Sequence, residues 1–142
     1  ETRGYVALAG TFGYELDVTR IRSEDREMIP AQVALYHKYN DLIREGDYYR
    51  IASGAENRLY DCWQVVSKDR RESLLTWIQV LCGPGRQSHM VRLKGLEASA
   101  RYRVEGVGEE VVLSGDCLMY AGLRIPDRKG DFVGQLVHLV QV

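Results

Sequence analysis

The spacing of apolar residues changes near Gly46, and the change divides the chain into two stretches with different expected architectures. Ahead of it, Tyr5 to Leu8 form a short apolar run broken by Gly10 and Gly13. Phe12, Tyr14 and Leu16 then alternate with Gly13, Glu15 and Asp17, and the two stretches together predict strand and turn. Ser23 is placed to cap a helix, because Glu24 and Asp25 behind it put carboxylates where the helix dipole favours them. That helix is predicted to run to about Arg44 and to stop at Gly46. Ile29, Val33, Tyr36 and Ile43 form one row along it and Leu35, Tyr39 and Leu42 the next, so its apolar face is broad and needs a large partner. Pro30 lies too deep to be a first-turn proline; it is expected either to kink the helix or to mark a second start.

After Gly46 the runs shorten to strand length with turn residues between them, and strands are predicted near 48–53, 62–67, 73–81, 90–96, 100–104, 110–114 and 136–142. Val91 and Leu93 oppose Arg92 and Lys94, and Tyr102 and Val104 oppose Arg101 and Arg103, so those strands have one wet face. The run from Leu74 to Leu81 is apolar on both sides and is expected to be central or covered by the helix. About seven short antiparallel strands joined by glycine-rich turns predict a mainly β fold, a small sandwich (of Greek-key type) or a barrel, preceded by a strand-like segment and one long helix. A lone strand and helix cannot bury so broad an apolar face, so residues 1–46 read as an incomplete unit and residues 47–142 as a domain.

Composition adds exclusions. The 142 residues are 45% apolar and 27% charged, which disfavours disordered, collagen-like and coiled-coil readings. Nineteen cations against twenty anions give a net charge of −1, without the basic excess of nucleic-acid or anionic-membrane binders. Charge follows the period change: residues 1–47 carry 6 cations and 9 anions, residues 48–142 carry 13 and 11. The chain begins at Glu1 with no leader-like apolar stretch, and no run approaches the length of about 20 residues that spans a bilayer, so neither secretion signal nor membrane span is expected. Cys62, Cys82 and Cys117 are an odd number at long spacings with no C-x-x-C pair, which suits reduced thiols in the cytoplasm.

The residues capable of chemistry are scattered. His37, His89 and His138 have neither i, i+4 spacing nor an H-E-x-x-H arrangement, so no metal is expected. Cys62 beside Trp63 lies in a strand-like run where a buried, inert thiol is usual. Glu15 and Asp17 would share a strand face, as a pair of glycosidase carboxylates can, but pairing with Arg20 or Arg22 accounts for them. Asp116 and Asp131 read as turn acids bonded to nearby amides. The glycines at 83–85 and 106–108 lack the context of a phosphate loop. Tyr48, Tyr49, Tyr60, Trp63 and Trp77 could stack on sugar rings if exposed, although apolar strands make core packing their expected use. No catalytic, cofactor-binding or metal-binding residue is assigned.

Several strings occur in order: Gly10-Thr11-Phe12-Gly13-Tyr14-Glu15-Leu16-Asp17, Gln32 to Leu42, Gly46-Asp47-Tyr48-Tyr49-Arg50, Trp63 to Ser67, Arg92 to Leu96, Ser114 to Leu123, and Gly130-Asp131-Phe132. Together they resemble the C-terminal portion of bacterial α-galactosidases of glycoside hydrolase family thirty-six, over nearly the whole chain. The resemblance implies that residues 1–46 are the last strand and helix of a catalytic (β/α)8 barrel and that the remainder is the C-terminal sandwich. It implies a retaining enzyme acting on terminal α-linked galactose through an aspartate nucleophile in a Lys-Trp-Asp motif and an aspartate acid/base. Neither motif is present, since Trp63 and Trp77 precede Gln64 and Ile78, and the family's Cys-x-Asn-His string would lie upstream of Glu1. The departures are local: Cys82 to His89 differs from the usual turn, Tyr120 stands for an Asn, and Val133-Gly134 stands for a Gln-Ser pair.

The expectation is therefore a C-terminal piece of an α-galactosidase, inactive alone, that braces the barrel and supports oligomer contacts. Its partner is the rest of the enzyme, which alone binds α-galactoside, and no cofactor, nucleic acid or membrane is involved. The alternatives are a sugar-binding sandwich using exposed tyrosines or tryptophans, and self-association through the face left bare.

Overall fold

A computed structural model describes residues 1–142 apart from Val18, Arg86, Gln87 and Asp127. Eight strands are present among the described residues: β1 (Asp47–Ala52), β2 (Tyr60–Val66), β3 (Glu72–Gln79), β4 (His89–Val91), β5 (Arg101–Glu105), β6 (Val111–Ser114), β7 (Leu123–Ile125) and β8 (Val133–Gln141). Helices α1 (Thr2–Ala7) and α2 (Ser23–Glu45) precede them, α3 (Gly54–Asn57) follows β1, and a π-helical turn spans Cys117–Ala121. The main sheet has six strands in the order β1-β2-β3-β8-β5-β6, and β4 and β7 form a second sheet. Every pairing is antiparallel. The mainly β, antiparallel architecture is as expected, with one large and one small sheet.

Strand alternation gives the main sheet two different buried faces. Cys62 and Val66 of β2, Leu75 and Trp77 of β3, Tyr102 and Val104 of β5, and Val137 and Leu139 of β8 point to one side. There they meet Val91, Leu93, Leu96, Leu118, Leu123 and Ile125 of the covering layer. The intervening residues Val65, Leu74 and Leu136 point the other way and pack on Leu35, Tyr39, Leu42 and Ile43 of α2. The helix thus finds its broad partner in the sheet. β3 lies between β2 and β8 and is buried on both faces from Ser73 to Gln79, which is why its sequence is apolar without alternation.

Polar groups inside this core are paired. Gln64 Nε2 donates to Ser73 Oγ (2.9 Å) and Gln64 Oε1 accepts from the Lys94 amide (2.8 Å), joining the two layers. The Tyr102 hydroxyl accepts from the Glu97 amide (2.9 Å) and donates to the Arg70 carbonyl (2.7 Å), clamping two loops together.

Several local expectations are corrected. The run from Tyr5 to Leu8 is helical in α1 as far as Ala7, not strand-like, and residues 11–16 join no sheet. A four-residue apolar run fits either conformation, and without a neighbouring strand to complete a ladder the local helix wins. Ser23 does head α2, but the capping position is Arg22, and no side chain caps it. Gly46 ends the helix in extended conformation (φ −72°), not the left-handed one. Its need for glycine is steric, because a Cβ would collide with the Leu42 carbonyl and the Val65 side chain. α2 continues through Pro30 as one helix, so there is no second start. The strand expected over 90–96 pairs only over His89–Val91; beyond it the Leu93 amide donates to the Leu118 carbonyl (3.1 Å). β7, α3 and the π-helical turn have no counterpart among the predicted elements.

Candidate functional site

Of the acids singled out by sequence, Asp17 and Asp116 are engaged by their own turns. Asp17 Oδ1 accepts from the Thr19 amide (3.0 Å) and hydroxyl (2.6 Å), and Arg20 Nε lies 3.2 Å from Asp17 Oδ2. The Thr19 hydroxyl, then its amide, hold this carboxyl below its ordinary range. Glu15 is exposed. Asp116 accepts from Ser114 Oγ and from the Cys117 amide (2.6 Å), which lower its pKa in that order. Asp131 differs from the expected local turn acid: its Oδ1 accepts from the amide of Cys82 (2.7 Å), tying the loop after β3 to the one before β8.

His37 is exposed on α2, and His89 lies beside the stacked rings of Tyr60 and Trp77, 4.8 and 5.0 Å from their centroids. Tyr60 and Trp77 stack at 3.9 Å, and Trp77 is only 1% exposed, so this aromatic group is core and a sugar-binding module is not favoured. Tyr49 packs against the same core and closes over Gly95, Trp63 is half-buried, and Tyr48 is exposed. Among the described residues no group of three or more His, Cys, Asp or Glu side chains is placed to hold a metal ion, and no helix is long and apolar enough to cross a membrane.

The cysteines divide by environment. Burial pushes the Cys62 thiol up to about 12, with Asp61 adding to the effect, so it carries almost no thiolate near neutrality. Cys82 is exposed. In the native chain a soluble thiol reagent should label Cys82 readily and Cys62 only after unfolding; equal labelling rates would contradict this packing.

The most constructed surface is the helix-covered face of the main sheet. It forms because β2, β3 and β8 each turn one alternate row of side chains toward α2, while α1 lies across the start of β8. There the Gly134 amide donates to Thr2 Oγ1 (2.8 Å), and Tyr5 fills the space a side chain at Gly134 would need. A cavity of about 380 Å³ opens between α1, α2, β5 and β8, lined by Tyr5, Tyr39, Glu105, Arg128, Gln135 and His138 among others. His138 Nε2 lies 2.7 Å from Glu72 Oε1, and the Tyr39 ring meets the imidazole edge-on at 5.2 Å. Sequence reasoning placed His138 in the last strand but missed this grouping, because only strand register joins residues so far apart.

Comparison with known proteins gives a consistent picture. Residues 60–139 match the family model described as the glycosyl hydrolase family 36 C-terminal domain, and residues 1–46 match the one described as melibiase. The α-galactosidase AgaA of Geobacillus stearothermophilus is 39% identical over 142 residues, covering 100% of this chain and 19% of that protein. The bifunctional α-galactosidase/sucrose kinase AgaSK of Mediterraneibacter gnavus is 35% identical over 88% of this chain and 13% of its own length. The crystal structure of the α-galactosidase AgaB from Geobacillus stearothermophilus superposes with a TM-score of 0.89 at 41% identity, over 99% of this chain and 19% of that one. A variant of AgaA in complex with raffinose superposes equally well, with a TM-score of 0.89 at 38% identity over 99% of this chain and 19% of its own. The chain therefore spans about a fifth of the length of these two structures (19%).

Proposed function

Because the chain belongs to glycoside hydrolase family 36, we propose that it is the C-terminal part of an α-galactosidase, a retaining enzyme acting on terminal α-linked galactose. In this reading residues 1–46 are the end of the catalytic barrel and residues 47–142 the β-sandwich that closes the chain. The observation that carries it is the seat of α2. One row of the helix, Leu35, Tyr39 and Leu42, packs on Val65 and Leu74 of the sheet. Of the adjacent row, Ile43 joins that cluster, while Ile29, Val33 and Tyr36 lie outside it and are half-buried, Tyr36 stacked on Phe12 at 5.5 Å; barrel strands would pack along that side. A helix used on both sides is a brace, and the sandwich serves to hold the last barrel helix in place and to supply contacts between copies of the enzyme.

The nucleophile and the acid/base belong to the rest of the protein, and this chain contributes no catalytic carboxylate. Relatives crystallised with raffinose and stachyose support α-galactosides of that kind as substrates. Three free thiols, one of them exposed, support a reducing, cytoplasmic location. The 142-residue chain is expected to release no nitrophenol from p-nitrophenyl α-galactoside, and the longer protein containing it to hydrolyse that substrate. Turnover by the chain alone that disappears on replacing Glu15 or Asp17 would overturn the assignment, as would a longer protein without activity.

A further inference from the structure

The main sheet has two outer edges, and they are built differently. β1 carries Asp47 and Arg50, both exposed, and its register with β2 slips between Arg50 and Ala52. Charge and irregularity of this kind keep a sheet edge from recruiting further strands. β6, at the other edge, has neither. Its sequence over Val111–Ser114 is Val-Val-Leu-Ser, its register with β5 is unbroken, and Val111 and Val112 are 38% and 37% exposed. Its one strand neighbour is β5, so the outward N–H and C=O groups of its backbone have no ladder to join.

Paired residues of neighbouring strands point to the same side of a sheet. Tyr102 points into the core, so its partner Leu113 does too, and Val111 lies on that side at the rim. Arg103 and Arg101 stand opposite Val112 and Ser114 on the side of α2. A strand added to this edge must therefore bring apolar residues to meet the valines and Leu113.

A second copy of β6 supplies them. Two copies related by a two-fold axis normal to the sheet pair antiparallel, and matching of their faces requires one residue to meet itself. With Val112 on the axis, the two Val112 side chains meet, and Val111 of each copy lies beside Leu113 of the other. The same register sets Glu110 beside Ser114 of the second copy. Ser114 is short, and behind it in its own ladder stands Arg101, which is exposed and has no ion-pair partner among the described residues. Glu110 of one copy thus comes within reach of Arg101 of the other, and the two-fold axis makes this contact twice. Glu110 is available for it: it lies 3.7 Å from Arg103 Nε, whose closer partner is Glu105 at 3.0 Å.

We propose that β6 is a homotypic interface, at which two copies of this chain join their main sheets edge to edge with Val112 on the axis. The inference specifies the contact between copies assigned to the sandwich above and rests on that part of the reading.

The axis allows the register itself to be tested. In a Cys82→Ser, Cys117→Ser background, which removes the two thiols that solvent reaches, Val112→Cys sets one thiol directly against its own copy. Directly opposed residues of antiparallel strands lie within disulfide range. Mild oxidation is expected to give a covalent dimer on a non-reducing gel, whereas Val111→Cys, which faces Leu113, should link at least about tenfold more slowly. Equal rates, or no linkage at position 112, overturn the register. Sedimentation velocity at about 100 μM should find the unsubstituted chain as a dimer and Val112→Lys as a monomer, since an edge lysine blocks strand addition. Arg101→Glu and Glu110→Arg should each weaken association about tenfold, and the double variant should restore it. A monomeric unsubstituted chain, association untouched by Val112→Lys, or a double variant no better than the single ones would overturn the interface. Hydrolysis of the aryl galactoside by the longer protein is a separate measurement, so failure here leaves the enzymatic assignment standing.

Discussion

Trp77→Ala is expected to be the most damaging side-chain truncation in the molecule, lowering stability by about 3–5 kcal/mol. The indole is 1% exposed, on the most central part of β3, stacked at 3.9 Å on Tyr60 and 5.0 Å from His89. It is one of the largest fully buried side chains and faces the cluster that joins the two sheets. Deleting it removes both its own transfer from water and the support of every neighbour that cannot collapse into the void. A domain of this kind has roughly 5–15 kcal/mol in total, so the variant would be marginal at room temperature. Urea unfolding followed by circular dichroism reads the effect as a lower midpoint with an unchanged slope. A loss below about 1 kcal/mol would mean that the indole does not pack as described.

A pair of glycine substitutions should separate steric collision from backbone preference. Gly106 and Gly108 both have positive φ, 103° and 123°, which disfavours any side chain. A Cβ at Gly108 meets nothing within 4 Å, whereas one at Gly106 falls far inside contact distance of the Leu136 carbonyl oxygen in β8. Gly106 also gives its own carbonyl to the Gln135 side-chain amide. Gly108→Ala is expected to cost about 1–2 kcal/mol from conformation alone, and Gly106→Ala about 3 kcal/mol or more, because backbone must move. The same urea titration compares them; equal losses would show that the approach to β8 is not tight.

What the sequence revealed follows from the range over which each signal acts. Helix α2 and the strands at 47–52, 60–66, 72–79 and 101–105 were legible because each carries its own periodicity or apolar run. β7 is three residues, too short for a period to register, and the π-helical turn before it has no pattern of its own. Residues 5–7 are helical where the run suggests strand, because so short an apolar run has no preferred period. The strand predicted through Leu96 keeps its alternation past the end of its ladder as far as Lys94, since Leu93 is still a core residue after pairing stops at Val91, and Leu96 is buried out of that period. The grouping of His138 with Glu72 and Glu105 was invisible for a different reason. Each residue alone is an ordinary polar position on an alternating strand, and only the pairing of β8 with both neighbours makes them adjacent.

The place of β8 carries a consequence for synthesis. This strand, residues 133–141, is made after the other seven described strands and yet lies between β3 and β5 in the middle of the sheet. Until it is made, β1-β2-β3 and β5-β6 are two separate ribbons with open inner edges, and the rows facing α2 and the small sheet are incomplete. Emerging from the ribosome, the chain must hold these edges apart from other chains until β8 arrives. A stop codon ahead of Val133 would therefore cut the sheet in two, and the expected product is aggregation in place of a shortened domain.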